Sequence, residues 1–423
     1  MTAPVPVRPE PAVPLRSVVE AGLGLRWEVD ADPYALGLDA LVGLALRDNP
    51  RRAQLAVSRV LGKHLPVAPD VARRSGRLLA GLVAQALGPP ARRGAARLVG
   101  GLPGAPLVLG YCETATALGH LVAEAFDGAA HVHTTRRPEP GVPLVAGFDE
   151  PHSHAVAHAL QLDDPTVLDD PDRPLVLVDD ELTTGTTALN TVAALHGRWP
   201  HARYVVATLL DLRPPPARAA FAQRTAELGV RVDVVALLSG ALQVPGDVLH
   251  RADALRRELA AVPAAPVPPC AGRVEVLPGR WPSDVAVGGR TGVQVGGGEV
   301  EEALAALAAR LVPRLSGGPV LVLGTEELMW LPLRLAALLP GEVAYHSTTR
   351  SPVLPADLPG YAVRRALLFP APDEPDRASR LHGLPDEAYA DVVVVVDAPA
   401  AAARPLAQAL RPWASASVQV LAL

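Results

Sequence analysis

Apolar residues in this chain gather in short, nearly unbroken runs rather than in strict alternation with polar ones. Such runs cover 105–109, 175–178, 204–209 and 232–238, and they suit strands of a parallel sheet that is covered on both faces. Between them the spacing predicts a helix that ends near Phe126 and another over 188–195. Strand, turn and helix in repeated order predict a parallel α/β sheet. A further helix is expected from about Pro50; Gly62 would end it and leave Lys63 and His64 on a loop.

The pattern returns in the second half. Val320-Leu321-Val322-Leu323-Gly324 repeats Leu107-Val108-Leu109-Gly110, and Thr348-Thr349-Arg350-Ser351-Pro352 repeats Thr134-Thr135-Arg136-Arg137-Pro138. In both halves 24 residues separate the glycine from the first threonine. Asp373-Glu374-Pro375 echoes Asp149-Glu150-Pro151, and the strand over 392–397, ending on Asp397, echoes 175–179. Matches that keep their order point to an internal repeat. The copies diverge after that last strand, where Ala398-Pro399-Ala400-Ala401-Ala402-Ala403 contains neither glycine nor threonine. The expected organisation is a flexible proline-rich tail over 1–17, an α/β domain over 18–261, a Pro/Ala-rich linker over 262–275 and a smaller, degenerate α/β domain over 276–423.

The candidate chemistry sits in 175–187, where four apolar residues lead into Asp179 and Asp180 and then into Thr183, Thr184, Gly185, Thr186 and Thr187. A loop between a strand end and a helix start collects unpaired N–H groups and the positive end of the helix dipole, which favours a phosphate dianion. The threonines add hydroxyl donors, and Gly185 permits close approach or a positive φ. Asp179 and Asp180 are placed to accept hydrogen bonds from sugar hydroxyls. The sequence holds no Gly-Lys-Ser/Thr, which excludes a Walker-type nucleotide loop.

Composition changes the picture in a few places. With 39 basic against 44 acidic residues, no basic surface argues for nucleic acid. The two cysteines, Cys112 and Cys270, lie far apart without metal-ligand spacing, so a disulfide framework is not expected and a reducing cytoplasm fits. The proline-rich start lacks the apolar core of a signal peptide, and no apolar run approaches the ~20 residues of a membrane helix. Every basic side chain but one is arginine; the exception is Lys63, a candidate with His64 for contact with phosphate or the acceptor because ammonium and guanidinium groups differ in size and geometry. Arg136 and Arg137 suit pyrophosphate. His152, His154 and His158 lack a completing acid or cysteine for zinc and are expected to face solvent or an acceptor. Gly296-Gly297-Gly298 reads as a turn into a helix, and Trp281, Arg290 and Gly292 precede it without a readable role.

The stretch 175–187 resembles, over its full length, the phosphoribosyl-pyrophosphate (PRPP) signature of type I phosphoribosyltransferases. The resemblance implies that Asp179 and Asp180 contact the ribose hydroxyls and that Thr183 to Thr187 hold the 5′-phosphate. It also implies that Glu113, Thr114, Ala115 and Thr116, after the first core strand, bind pyrophosphate through backbone amides. With Gly62-Lys63-His64, His133-Thr134-Thr135-Arg136 and the tetrapeptide Thr349-Arg350-Ser351-Pro352, the chain is similar to bacterial orotate-phosphoribosyltransferase-like proteins carrying a C-terminal TRSP domain.

That family implies an α/β fold with a type I phosphoribosyltransferase-like parallel sheet. It implies Mg²⁺-dependent transfer of 5-phosphoribose from PRPP to a nitrogenous, nucleobase-like acceptor, with Mg²⁺ carried by PRPP and touching Asp179 and Asp180. Arg136 and Lys63 would neutralise the departing pyrophosphate. A role in making a nucleoside-like metabolite within tellurite-resistance or stress gene clusters is implied by the resemblance alone. The second half is expected to close over the site or to imitate the partner subunit of a homodimer, with Arg350 reaching across a pseudo-twofold axis. A PRPP- or nucleotide-binding regulator without catalysis, and a phosphorolytic enzyme running in reverse, share these residues.

Overall fold

Two parallel sheets form where the apolar runs fall in the computed structural model, which describes residues 13–88, 92–93, 98–99, 105–148, 158–277, 281–282, 294–295 and 298–423. The first sheet has the strand order Arg26–Ala31, Val232–Gln243, Tyr204–Asp211, Leu175–Leu182, Leu107–Gly110, Ala130–His133, Gln294–Val295. Its five inner strands are mutually parallel, and its two edge strands are antiparallel. Val108, Val176, Val178, Val205 and Ala207 pack on one face against the helices Pro69–Leu87 and Thr116–Ala123. Leu107, Leu109, Leu175, Leu177 and Val206 pack on the other against the helix Thr186–His196. Both faces are dry, which is why the strands read as continuous apolar runs.

The second sheet, in the order Arg273–Val276, Ala414–Ala422, Tyr389–Val396, Val320–Gly324, Val343–Ser347, is parallel throughout. It matches the five parallel strands of the first sheet position for position. One strand arrives by a different route: Arg273–Val276 fills the place of Val232–Gln243 but precedes the rest of its sheet in sequence. That strand lies largely inside the span expected to be linker. Gln294–Val295, from the second half of the sequence, pairs with Ala130 and His131 of the first sheet.

Register refines the repeat. Leu107 pairs with Leu175, and its counterpart Leu321 pairs with Val392. Counted from there, Asp397 occupies the position of Asp180, not that of Asp179 as the sequence comparison suggested.

The two halves share their interior. Val67, Ala72, Ala117 and Leu121 join Val322, Leu331 and Tyr345 in one apolar cluster, and Leu46 and Val57 join Val353, Tyr361 and Val363 in another. Trp281 is buried in the first of these. Within the expected tail, Leu15 is already placed, its carbonyl accepting from the Leu44 amide at 2.9 Å.

The helix expected from Pro50 is instead a strand, Gln54–Ser58, paired antiparallel with Val42–Leu46. Leu55 and Val57 are buried on alternate positions, and period two wins over the helical spacing. Gly62 nevertheless turns the chain with φ +71°, where a Cβ would meet the Tyr345 ring at 2.5 Å.

Candidate functional site

Leu175–Leu182 carries Asp179 and Asp180 at its carboxyl end and delivers the chain to the helix Thr186–His196. Asp179 Oδ1 accepts from the Asp180 amide at 2.9 Å. Thr184 Oγ1 lies 3.0 Å from Thr186 Oγ1 and accepts from the Thr186 amide at 3.3 Å. Gly185 takes φ +81°, and a Cβ there would lie 2.5 Å from the Phe221 ring. Beneath the loop, Arg213 grips Asp211 through two nitrogens at 2.9 and 2.8 Å and lies 4.5 Å over Phe221. The turn is thus braced from below while Thr183 and Thr184 stay exposed. That geometry presents hydroxyls and a helix N-terminus to an anion.

Glu181, which the sequence reading passed over, belongs to the same strand end. Burial pushes its carboxyl up to about 7, the neighbouring Asp180 adds to this, and Arg47 and Arg52 oppose it. The residue retains some solvent contact, so the effect belongs to a partly screened acid. Three consecutive acids were its visible signal.

The turn after Leu107–Gly110 is the second element. Ala115 N donates to Tyr111 O at 2.9 Å and Thr116 N to Glu113 O at 3.4 Å, so two of the four amides expected to face an anion are engaged inside the turn. Glu113 is buried, and its carboxylate receives the Thr349 hydroxyl at 2.8 Å and the Arg350 amide at 3.4 Å. Arg350 Nε stands 3.5 Å and Lys63 Nζ 3.8 Å from the same group, and Lys63 also donates to Thr114 Oγ1. Lys63, Glu113, Thr114 and Arg350 therefore meet, whereas His64 is buried with its pKa held well below the usual imidazole value, by burial first and Lys63 second.

The basic loop divides its two arginines. Arg136 places Nη2 3.3 Å from His158 Nε2. Arg137 turns away from this site to Asp373 at 2.7 Å and Asp397 at 3.5 Å in the second half. Of the two settings expected for His158, solvent and an acceptor, solvent is excluded. It is buried in the strand His158–Gln161, with Nδ1 2.9 Å from Thr134 Oγ1 and 3.4 Å from Cys112 Sγ. Burial pushes the Cys112 thiol up, and Glu327 adds to this; it is no ready nucleophile. His152, His154, Asp149, Glu150, Arg290, Gly292, Gly296 and Gly297 lie outside the described residues.

The corresponding loops of the second half reproduce these bonds. Thr134 N donates to Gly110 O and Thr348 N to Gly324 O, each at 3.0 Å. Cys112 N donates to Thr134 Oγ1 and Glu326 N to Thr348 Oγ1, again each at 3.0 Å. The Arg137 amide donates to Thr135 Oγ1 at 2.9 Å and the Ser351 amide to Thr349 Oγ1 at 3.0 Å. Across the divide, Glu327 takes the Thr135 hydroxyl at 2.7 Å and the Arg136 amide at 2.8 Å, as Glu113 takes Thr349 and Arg350. The relation is a pseudo-twofold exchange.

Among the described residues, the turn after Val320–Gly324 carries a paired acid where the first half has Cys112. Glu326 is gripped by Arg350 at 2.8 Å and Arg377 at 2.6 Å. Burial raises its pKa, but Arg377 and Arg350 outweigh that and hold it low.

Two stretches of the chain match known families. Residues 41–241 match a family described as "Phosphoribosyl transferase", and residues 287–410 match one described as "TRSP domain C terminus to PRTase_2". No curated protein matches the chain. Among solved structures, adenine phosphoribosyl transferase from Trypanosoma brucei, in complex with AMP, pyrophosphate and ribose-5-phosphate, is similar at 14% identity over 53% of this chain and 78% of its own, with a TM-score of 0.30. Orotate phosphoribosyltransferase from Aeropyrum pernix gives 17%, 44%, 78% and 0.25 for the same quantities. Adenine phosphoribosyltransferase from Leishmania tarentolae gives 14%, 54%, 98% and 0.31. Among the described residues no helix is long and apolar enough to cross a membrane.

Proposed function

Because the chain belongs to the phosphoribosyl transferase family that carries a C-terminal TRSP domain, we propose that its first half transfers 5-phosphoribose from PRPP to a nitrogenous, nucleobase-like acceptor and releases pyrophosphate. The observation that carries this reading is the strand, acid pair and glycine-centred threonine loop over 175–187, braced by Asp211, Arg213 and Phe221. Thr183, Thr184, Thr186 and Thr187 hold the 5′-phosphate at the helix start, and Asp179 and Asp180 hold the ribose hydroxyls. Positive charge grows at the ribose C1′ as pyrophosphate leaves, so catalysis consists of holding the sugar and stabilising the departing anion. Lys63, Arg136 and the Glu113 and Thr114 amides supply the donors for that anion. A link to tellurite or stress chemistry rests on the family resemblance alone.

Mg²⁺ belongs in this account as part of the substrate. Asp179 and Asp180 offer hard oxygen donors suited to it. Among the described residues, no group of three or more His, Cys, Asp and Glu could hold a metal ion. Bound there, Mg²⁺ would neutralise pyrophosphate charge.

Calorimetric titration of Mg²⁺-PRPP tests the proposal. Wild type is expected to bind in the micromolar range, and Asp179→Asn with Asp180→Asn to bind at least tenfold more weakly, on the order of 1.4 kcal/mol. Folded wild-type protein that binds no PRPP would sink it and leave a scaffold or a regulator of a different ligand.

A further inference from the structure

The exchange of carboxylates between halves points to a role for the second half that its degenerate loop does not suggest. Glu327 is 3% exposed. A buried carboxylate is costly unless its oxygens are satisfied, and removing it alone leaves its buried donors without an acceptor. Both Glu327 oxygens accept bonds from the other half: the Thr135 hydroxyl at 2.7 Å and the Arg136 amide at 2.8 Å. Thr135 Oγ1 in turn accepts from the Arg137 amide at 2.9 Å, while the Thr135 backbone exchanges bonds with Ala159 at 2.8 and 2.9 Å. The loop from which Arg136 projects is therefore held on one side by its own half and on the other by Glu327. The mirror contact, Glu113 on Thr349 and Arg350, holds a loop whose arginine is already bonded to Glu326.

Building on the transferase reading, we propose that Glu327 is a positioning residue for the pyrophosphate side of the first half's site. It fixes the Thr135–Arg136 backbone so that the Arg136 guanidinium is in place before PRPP arrives. Preorganised donors stabilise a departing anion without paying reorganisation at the moment of reaction. The second half thus keeps its loop after Val320–Gly324 to hold a neighbour rather than to bind a ligand. The sequence contained the signal, because Glu327 follows Gly324 by the same three residues that separate Glu113 from Gly110.

The test compares wild type, Glu327→Ala and Glu327→Gln in the full chain, using Mg²⁺-pyrophosphate, Mg²⁺-PRPP and ribose 5-phosphate as separate probes. The first two are expected to bind Glu327→Ala about tenfold more weakly, while ribose 5-phosphate, which lacks the pyrophosphate, binds as to wild type. Glu327→Gln, whose amide oxygen still accepts from Thr135, should fall between. Hydrogen exchange of the 134–137 segment should quicken at least tenfold in Glu327→Ala, since the Arg136 amide loses its acceptor. Equal weakening of all three probes would reduce Glu327 to a merely structural part and overturn the proposal, as would unchanged exchange. Wild type that binds PRPP no better than Glu327→Ala does overturns the positioning role alone. Wild type that binds none of the probes overturns the transferase reading, and the positioning role with it.

Discussion

The strands Leu175–Leu182 and Tyr389–Val396 occupy the same place in their sheets, pair in the same register with Leu107–Gly110 and Val320–Gly324, and bring acids, Asp180 and Asp397, to equivalent positions at their carboxyl ends. They then part. After the first come Thr183, Thr184, Gly185 at φ +81°, and an 11-residue helix; after the second come Pro399 and the short turn Ala400–Ala403. Asp180 remains half-exposed at the strand end, whereas Asp397 stands 3.5 Å from Arg137 of the other half. The difference teaches that the sheet is a mount and the loop is the instrument: matched strand ends lead into the loop proposed to hold phosphate in one half and into an interdomain ion pair in the other, according to the few residues that follow.

The largest effect should come from making the first loop resemble the second. Gly185→Val places a branched side chain at positive φ and against the Phe221 ring, so PRPP binding should fall by on the order of a hundredfold or more, about 2.7 kcal/mol. Calorimetry would read this, with circular dichroism confirming that the sheets persist. Near-normal affinity would break the contrast between the loops.

A smaller effect probes the seam between the halves. His120 of the first half stacks on Trp330 of the second at 4.5 Å and faces His131 at 3.6 Å, with His133 and Arg334 nearby. Burial holds His120 and His131 well below the usual imidazole pKa, and neighbouring positive groups add to this. Unfolded chains take up protons at these sites below about pH 6.5 and the folded protein does not. Stability should therefore be highest above that pH and decline as pH falls through 6 towards 5. Thermal melts across pH 5–8 check it, and His120→Phe should flatten the curve. A melting temperature that rises on acidification would contradict the reading.

How much of this was legible depended on the range of the interaction. The parallel sheets, the glycine-centred turn before Thr186–His196 and the repeat announce themselves in contiguous residues, because a doubly covered strand must be apolar throughout and a turn at positive φ calls for glycine. The 53–61 stretch misled because Ala53, Leu55 and Val57 alternate while Val57, Val60 and Leu61 keep helical spacing; pairing with Val42–Leu46 decides it. Arg137 read as a phosphate ligand because its partners, Asp373 and Asp397, lie more than two hundred positions away. Separations of 191 to 237 positions likewise concealed the exchange of Glu113 and Glu327.

The contrast between the halves can be measured at one matched pair of positions. PRPP titrated into Asp180→Asn and Asp397→Asn should show at least a tenfold loss of affinity for the first and less than a twofold change for the second, with one PRPP bound per chain throughout. Equal losses in both variants, or two equivalents of PRPP bound by the wild type, would mean that the second half also binds the sugar phosphate and would contradict the account.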